Sequence, residues 1–187
     1  MLAILAMSLL IVPKPANAKD EQTDDLVHYD DCGYVSCDNH PFPRWAMAVW
    51  LVRIVDGPGR PGVSATRFVD VRVDEHWAPY VERLFELGIT RGCGVNPARY
   101  CPEERVTRAQ MASFLVRAFN LEEADSGPFT DIGASGHADD INALVASGVA
   151  EGCRTNLPEL FCPHTSPTVG QMRAIMQRAV ELNNPGN

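Results

Sequence analysis

Two arginines, Arg44 and Arg108, each stand at the start of an apolar run with helical spacing. A helix N-terminus offers free backbone amides, and a guanidinium group beside them favours a carboxylate or phosphate ligand. An arginine in the first turn also opposes the helix dipole, a small cost that a purely structural position would avoid. A structural role and an anion-binding role both remain open for these residues, and we predict the second.

The predicted helix start at Thr107 carries its own cap. Gln110 follows three residues later, which makes a capping box in which the hydroxyl and the side-chain amide each pair with a backbone group. A later helix keeps this cap at Thr168 but has Val169 in the place of the arginine. Cap and arginine therefore vary independently, and the arginine is not required for the helix to begin.

Three more side chains have types that suit contact with a sugar. Asp70 and Asp131 lie in repeated F-x-D segments, where a carboxylate could bind sugar, cap a helix or tie a turn through backbone amides. We favour the cap or the tie. Trp77 could stack on a sugar ring or fill the core, and the sequence leaves that choice open.

These residues recur because the chain repeats itself. The segments RFVDV, ELGITRGC and YCPEERVTRAQM are matched by PFTDI, ASGVAEGC and FCPHTSPTVGQM, 60 or 61 residues later. A third copy of the closing part, CDNHPFPRWAMAVWLVRIV, lies 64 residues upstream of its counterpart. The pattern indicates two full repeats and one half repeat, which we predict at residues 32–57 (first unit), 66–121 (second unit) and 127–182 (third unit).

Each full unit is predicted to contain two helices. Apolar positions at three-to-four spacing predict first helices at 75–87 and 137–147, and second helices at 107–120 and 168–182. The half unit supplies only a second helix, at 44–55. Gly88 and Gly148 are predicted to end the first helices. Near the ends of the second helices, three arginines complement the helix dipole and are predicted to be structural: Arg53, Arg117 and Arg178.

The N-terminal segment indicates whether the cysteines form disulfides. Residues 1–18 combine an apolar run with a small-residue A-N-A site, which predicts a signal peptide, followed by an acidic tail at 19–31. Six cysteines in an exported chain predict three disulfides, among fifteen arrangements that the sequence allows. We predict the local pairs Cys32–Cys37, Cys93–Cys101 and Cys153–Cys162.

The motifs of the repeated units resemble those of a known repeat family. F-x-D-V, H-W, G-I-T-x-G and V-T-R-A-Q-M-A resemble the S-layer homology (SLH) repeat over about residues 32–182. The cysteine-bearing loops further resemble the variant of secreted actinobacterial proteins. The resemblance implies a mostly all-α fold, in which SLH-like helical repeats form a pseudo-threefold bundle with disulfide-closed loops. It also implies noncovalent binding to cell-wall polysaccharide, which in this family is often pyruvylated.

The family's arginine contributes to a carboxylate pocket between adjacent repeats, so the resemblance assigns ligand contact to Arg108 first and Arg44 second. Val169 leaves no counterpart in the third unit. Trp77, Asp70 and Asp131 are placed beside the arginines as candidates. Gln110 stands where the family has glutamate and completes the predicted set.

The predicted function is therefore surface anchoring by a secreted, cell-wall-associated chain that binds acidic polysaccharide, for which the resemblance implies pyruvylation. The formal net charge of −8 opposes nucleic-acid binding, and it requires any anionic ligand to be held by a local group of arginines. Catalytic, phosphate-binding and zinc motifs are not found in the sequence, so we predict no enzyme activity, no metal site and no cofactor.

Two alternatives remain open. The first is an extracellular protein–protein interaction module. Its partner, or a second copy of the chain, would dock on an apolar flank around Trp45 and Trp50 that the incomplete first unit would leave exposed. The second is the C-terminal fragment of a larger secreted enzyme.

Overall fold

The computed structural model describes residues 37–183. The predicted signal peptide, the acidic tail and Cys32 lie outside the described residues. In chain order the elements are a short 3-10 helix (Cys37–Asn39), α1 (Arg44–Asp56), α2 (Ala78–Glu86), β1 (Gly94–Val95), β2 (Ala98–Arg99), α3 (Arg108–Phe119), α4 (Ala138–Ala146) and α5 (Val169–Asn183).

The helices begin and end where local chemistry directs them. At α3 the Thr107 hydroxyl accepts from the backbone N–H of Gln110 at 3.2 Å, and the Gln110 side chain accepts from the N–H of Thr107 at 3.2 Å. This is the predicted capping box. α1 begins after Pro43, which adopts extended backbone. α2 and α4 are followed by Gly88 and Gly148 at φ +73° and +77°, values that favour glycine.

One apolar cluster unites the helices. α1 contributes Met47 and Leu51, α3 contributes Met111 and Leu115, and α5 contributes Met172, all fully buried. Burying such a side chain stabilises a fold by about 1.5 to 3 kcal/mol. The units therefore share a core, as expected for repeats that are too small to bury an apolar face alone.

The prediction of an all-α, pseudo-threefold helical bundle is wrong. The structure is 41% helical and includes a two-stranded antiparallel sheet, in which Gly94 pairs with Arg99 and Val95 with Ala98. Long non-helical segments separate the helices. These segments contain disulfides, prolines and glycines, at which the chain turns. Such turns cannot be predicted from the helical spacing of apolar residues.

The backbone at the start of each second helix joins one unit to another. The first turn of a helix has amides without partners inside the helix. Here those amides donate to carbonyls of a different unit: Arg44 N to Glu104 O at 2.8 Å, Arg108 N to Thr165 O at 2.8 Å, and Val169 N to His40 O at 2.9 Å. The first unit is thus bonded to the second, the second to the third, and the third to the first.

Helix contacts also cross between units. α1 packs against α2, and α3 packs against α4, so a first helix lies on the second helix of the preceding unit. The predicted apolar flank at Trp45 and Trp50 is not found. Trp50 is only 4% exposed, with its ring 4.8 Å from that of Phe42, and the Trp45 ring lies 5.4 Å from that of His76. Trp50 is therefore buried and Trp45 half-buried, and the second unit packs its helix α2 against α1.

Candidate ligand-binding site

Disulfides close the loops that lie beside the helix starts. Cys93 is bonded to Cys101 and Cys153 to Cys162, with Cα–Cα distances of 6.1 and 5.9 Å. These are the pairs predicted in the second and third units. Immediately before the first loop, a Cβ on Gly92 would lie 2.3 Å from the Arg99 carbonyl oxygen. The close approach of this segment to Arg99 therefore requires glycine at that position.

The F-x-D aspartates fix the ends of these loops. The two carboxylate oxygens of Asp70 accept from the backbone N–H groups of Tyr100 and Cys101 at 2.9 and 2.8 Å. Asp131 makes the same pair of bonds in the third unit, at the same distances. Of the roles left open by the sequence, both aspartates occupy the one that ties a turn through backbone amides.

Arg44 crosses from the first unit into the loop of the second. Its side chain is 5% exposed, and its Nε donates to the Tyr100 carbonyl at 2.7 Å. The guanidinium carbon lies 5.0 Å from the centre of the Tyr100 ring and 4.8 Å from that of Phe114. Burial lowers the pKa of Arg44 below its ordinary value, and the neighbouring Tyr100, Glu104 and Asp70 oppose this shift. The arginine stays charged near neutrality because its ordinary pKa is so high.

Arg108 makes the equivalent contact from the second unit into the third. Its Nε donates to the Phe161 carbonyl at 2.7 Å, and a terminal nitrogen donates to the Glu151 carbonyl at 2.6 Å. Its guanidinium carbon lies 4.4 Å from the centre of the Phe161 ring. Burial lowers the pKa of Arg108, and Asp131 opposes this shift. Arg108 thus ties two loop carbonyls.

Trp77 and Gln110 lie in different surroundings. Trp77 precedes the first residue of α2 and is 5% exposed, as part of the core cluster. Gln110 belongs to the capping box of α3 and also lines a surface cavity. Of the predicted ligand contacts, the structure brings Gln110 together with Arg44 at this cavity.

The cavity has a volume of about 440 Å³ and lies where the three units meet. Arg44 comes from the first unit, His137 from the third, and the remaining lining residues from the second. The charged groups that line it are three guanidinium groups and one carboxylate, from Arg44, Arg91, Arg117 and Glu104. A cavity with this excess of positive charge suits an anion, even though the whole chain is acidic.

Two of the arginines that line the cavity were not among the residues predicted to contact a ligand. Arg117 was predicted to be structural, and its side chain does bond a backbone carbonyl, that of Ile89, at 3.4 Å. Arg91 is exposed and lies in the G-I-T-x-G motif. The sequence did contain a signal for Arg91. The third unit has Glu151 at the equivalent position, so the charge there is reversed between two units that otherwise repeat.

Comparison with known proteins relates the second unit to a characterised class. Residues 73–112 match the family model of the S-layer homology domain. The second unit is therefore similar to the S-layer homology domain over these residues.

Among the curated relatives, the chain is similar to the exoglucanase XynX of Acetivibrio thermocellus, with 30% identity over 122 residues, or 64% of this chain and 10% of that protein. It is 31% identical to a cell surface protein of Thermoanaerobacter kivui, over 63% of this chain and 16% of the relative. It is 28% identical to the surface-layer 125 kDa protein of Lysinibacillus sphaericus, over 61% of this chain and 10% of the relative.

The chain thus spans a small fraction of the length of these relatives. The domain match and the surface-protein relatives associate it with the cell surface or cell wall, as predicted. The resemblance to the actinobacterial variant stays a prediction. Within residues 37–183, every helix is too short or too polar to cross a membrane.

Proposed function

We propose that this chain attaches noncovalently to acidic polysaccharide of the cell envelope, with the acid group bound in the cavity at Arg44. The observation that carries the proposal is the convergence of Arg44, Arg91 and Arg117 on one cavity of about 440 Å³. Guanidinium groups bind carboxylates through paired, charge-assisted hydrogen bonds. In the described part of the chain Arg44 uses only its Nε for a hydrogen bond, so its terminal nitrogens can serve a ligand.

The equivalent place between the second and third units is less suited to an anion. There Arg108 donates from both Nε and a terminal nitrogen to backbone carbonyls. Glu151 stands where the cavity has Arg91, and Ala174 stands where it has Ser113. We therefore assign ligand contact to Arg44, Arg91, Arg117 and Gln110. In this proposal Arg108, Asp70, Asp131 and Trp77 support the fold around them.

The ligand that we propose is a polysaccharide with a carboxylate on its sugar residues. Pyruvate linked as a ketal, the modification that the family resemblance implies, would supply such a carboxylate. The net charge of −8 repels an acidic polymer at long range, so binding relies on the local arginines. Two surface-layer or cell-surface relatives support an envelope location for the target.

Cosedimentation with purified cell walls tests the proposal. Arg91→Ala removes an exposed guanidinium from the cavity, and we expect wall affinity to fall about tenfold or more, since a hydrogen bond to a charged group contributes roughly 1.5 to 3 kcal/mol. Arg60→Ala is the matched control, because Arg60 is an exposed arginine in the Gly/Pro linker and its loss changes net charge equally.

Thermal unfolding of both variants should match the wild type, since each side chain is exposed. If Arg91→Ala binds walls as well as Arg60→Ala does, the cavity is not the attachment site.

A further inference from the structure

A cluster of three polar side chains lies at the side of the cavity formed by the third unit. The Ser113 hydroxyl on α3 is within hydrogen-bond distance of His137 Nδ1, at 2.7 Å, and it donates to a carboxylate oxygen of Asp140 on α4. Ser113 and His137 both line the cavity, and Ser113 is only 3% exposed. The cluster therefore connects a buried hydroxyl to a histidine that a ligand can reach.

The direction of these hydrogen bonds follows from the number of protons. A hydroxyl carries one proton, and a carboxylate can only accept. Because Ser113 donates its proton to Asp140, it must accept from His137, which places a proton on Nδ1. In the neutral imidazole the other nitrogen, Nε2, is then an acceptor.

This order differs from that of a catalytic triad. A nucleophilic serine gives its proton to the histidine, and the acid orients the histidine from the other side. Here Ser113 lies between His137 and Asp140, and its proton points to the acid. The cluster orients the imidazole ring and leaves the serine unactivated.

The same positions in the other units hold different residues. The position of His137 corresponds to Trp77 in the second unit, which is buried in the core. The position of Ser113 corresponds to Val49 in α1 and Ala174 in α5. Among the units, the hydroxyl and the imidazole thus coincide only beside the cavity with three arginines. At the equivalent positions of the other units, apolar residues are enough for packing. The polar side chains beside the cavity therefore suit contact with a polar ligand.

We propose that His137 is a specificity-determining contact that accepts, at Nε2, a hydrogen bond from a hydroxyl of the bound sugar. Asp140 and Ser113 act as positioning residues, because they fix the ring and its proton. The inference rests on the proposed attachment site and narrows its ligand class. The cavity would recognise an acidic sugar that carries a hydroxyl group as well as a carboxylate, in preference to an anion without hydroxyl groups.

Competition with two soluble acids tests this inference. Methyl glucuronide and cyclohexanecarboxylate share a six-membered ring and one carboxylate, but only the first has hydroxyl groups. Protein bound to purified cell walls should be displaced by methyl glucuronide at a concentration at least about fivefold lower, since a ligand that leaves a polar group unpaired loses roughly a kcal/mol or more of affinity.

Two substitutions separate ligand contact from fold support. His137→Phe removes the acceptor, and we expect the two acids to displace this variant at equal concentrations. His137→Gln retains a side-chain acceptor and should keep the preference for methyl glucuronide. Circular dichroism of each variant checks the fold.

The outcomes distinguish this inference from the proposal on which it rests. Equal displacement of the wild type by the two acids, or an unchanged preference in His137→Phe, overturns the role of His137 and leaves wall attachment intact. A wild-type protein that does not sediment with walls overturns the proposed function itself.

Discussion

At the scale of single residues, Arg44 and Arg108 hold the same place in successive units but make different sets of bonds. Each donates from Nε to a loop carbonyl of the next unit, at 2.7 Å. Arg108 adds a second bond, to the Glu151 carbonyl, and so ties two segments of the third unit together. Arg44 instead reaches a cavity with Arg91, whose charge is reversed at Glu151 in the third unit.

The loss of Arg108 is expected to affect stability more than wall binding. Arg108→Met keeps the aliphatic stem but removes both donors, which leaves the carbonyls of Phe161 and Glu151 without these partners. We expect a destabilisation of about 1 to 3 kcal/mol, measured by urea unfolding, because an unsatisfied buried group such as the Phe161 carbonyl costs roughly that much, whereas Glu151 is exposed to water.

The matched substitution Arg91→Met concerns an exposed side chain and should change stability by about 0.5 kcal/mol or less. A similar loss of stability in the two variants would show that the bonds of Arg108 do not support the fold.

The structural roles of single residues were predictable from the sequence to different degrees. The capping box at Thr107 follows from local spacing alone, so the sequence sufficed. The pairing of Asp70 with the amides of Tyr100 and Cys101 joins residues about thirty positions apart, and spacing could only leave it as one of several roles. The cavity at Arg44 combines three units, and no local pattern contains it.

At the scale of elements, the helices and the loops differ in how far the sequence determined them. The second helices were predicted to within about a residue or two, since caps and apolar spacing define them. The first helix of the second unit starts later than expected, at Ala78 instead of residue 75, because turns precede it, whereas α4 starts within one residue of the prediction. The strand pair Gly94–Val95 and Ala98–Arg99 was missed, since two-residue strands leave no period to detect.

The two disulfide loops are expected to contribute equally to stability but unequally to binding. Replacing both Cys153 and Cys162 by serine should destabilise the fold by about 2 to 3 kcal/mol in thermal or urea unfolding, as the chain-entropy relation gives for so short a loop. Wall binding should persist, because this loop lies apart from the cavity at Arg44.

The same double replacement at Cys93 and Cys101 serves as the comparison. Cys93 lines the cavity, and Tyr100, which holds Arg44, is next to Cys101 in sequence. We expect a similar loss of stability together with weaker wall binding. Equal binding by the two double variants would contradict the assignment of the cavity.

At the scale of the whole molecule, the predicted helical bundle is wrong, while the division into three units stays a prediction. The resemblance and the repeated motifs gave three units with one incomplete, and a shared core joins them. The expected bundle fails because a two-stranded sheet and long non-helical segments separate the helices, and backbone bonds join loops of one unit to helix starts of another. Those bonds depend on the conformation of distant loops, which helical periodicity does not encode.

The contrast between the acidic chain and its basic cavity leads to an unusual prediction for the effect of salt. At about 0.01 M salt the screening length is roughly 30 Å, so an approaching acidic glycan experiences the whole molecule, with its formal charge of −8. At about 0.15 M the length is roughly 8 Å, and the nearby arginines dominate. We therefore expect the association rate with a soluble acidic glycan to rise over this range.

Stopped-flow or surface-based kinetics would measure this rate. A basic protein with the same cavity would show the opposite trend. An association rate that falls steadily as salt is added would contradict the idea that overall charge slows the encounter.

The bond from Val169 N to His40 O has a mechanical consequence. Together with the ion pair between Arg173 and Asp38, at 2.6 Å, it fastens the start of the described chain to the last helix. Tension applied to the polypeptide ahead of residue 37 would act first on these two contacts, because Arg44 and the loop around Tyr100 lie further along the chain. Under shear the two contacts would then break before the proposed wall-binding cavity is disturbed.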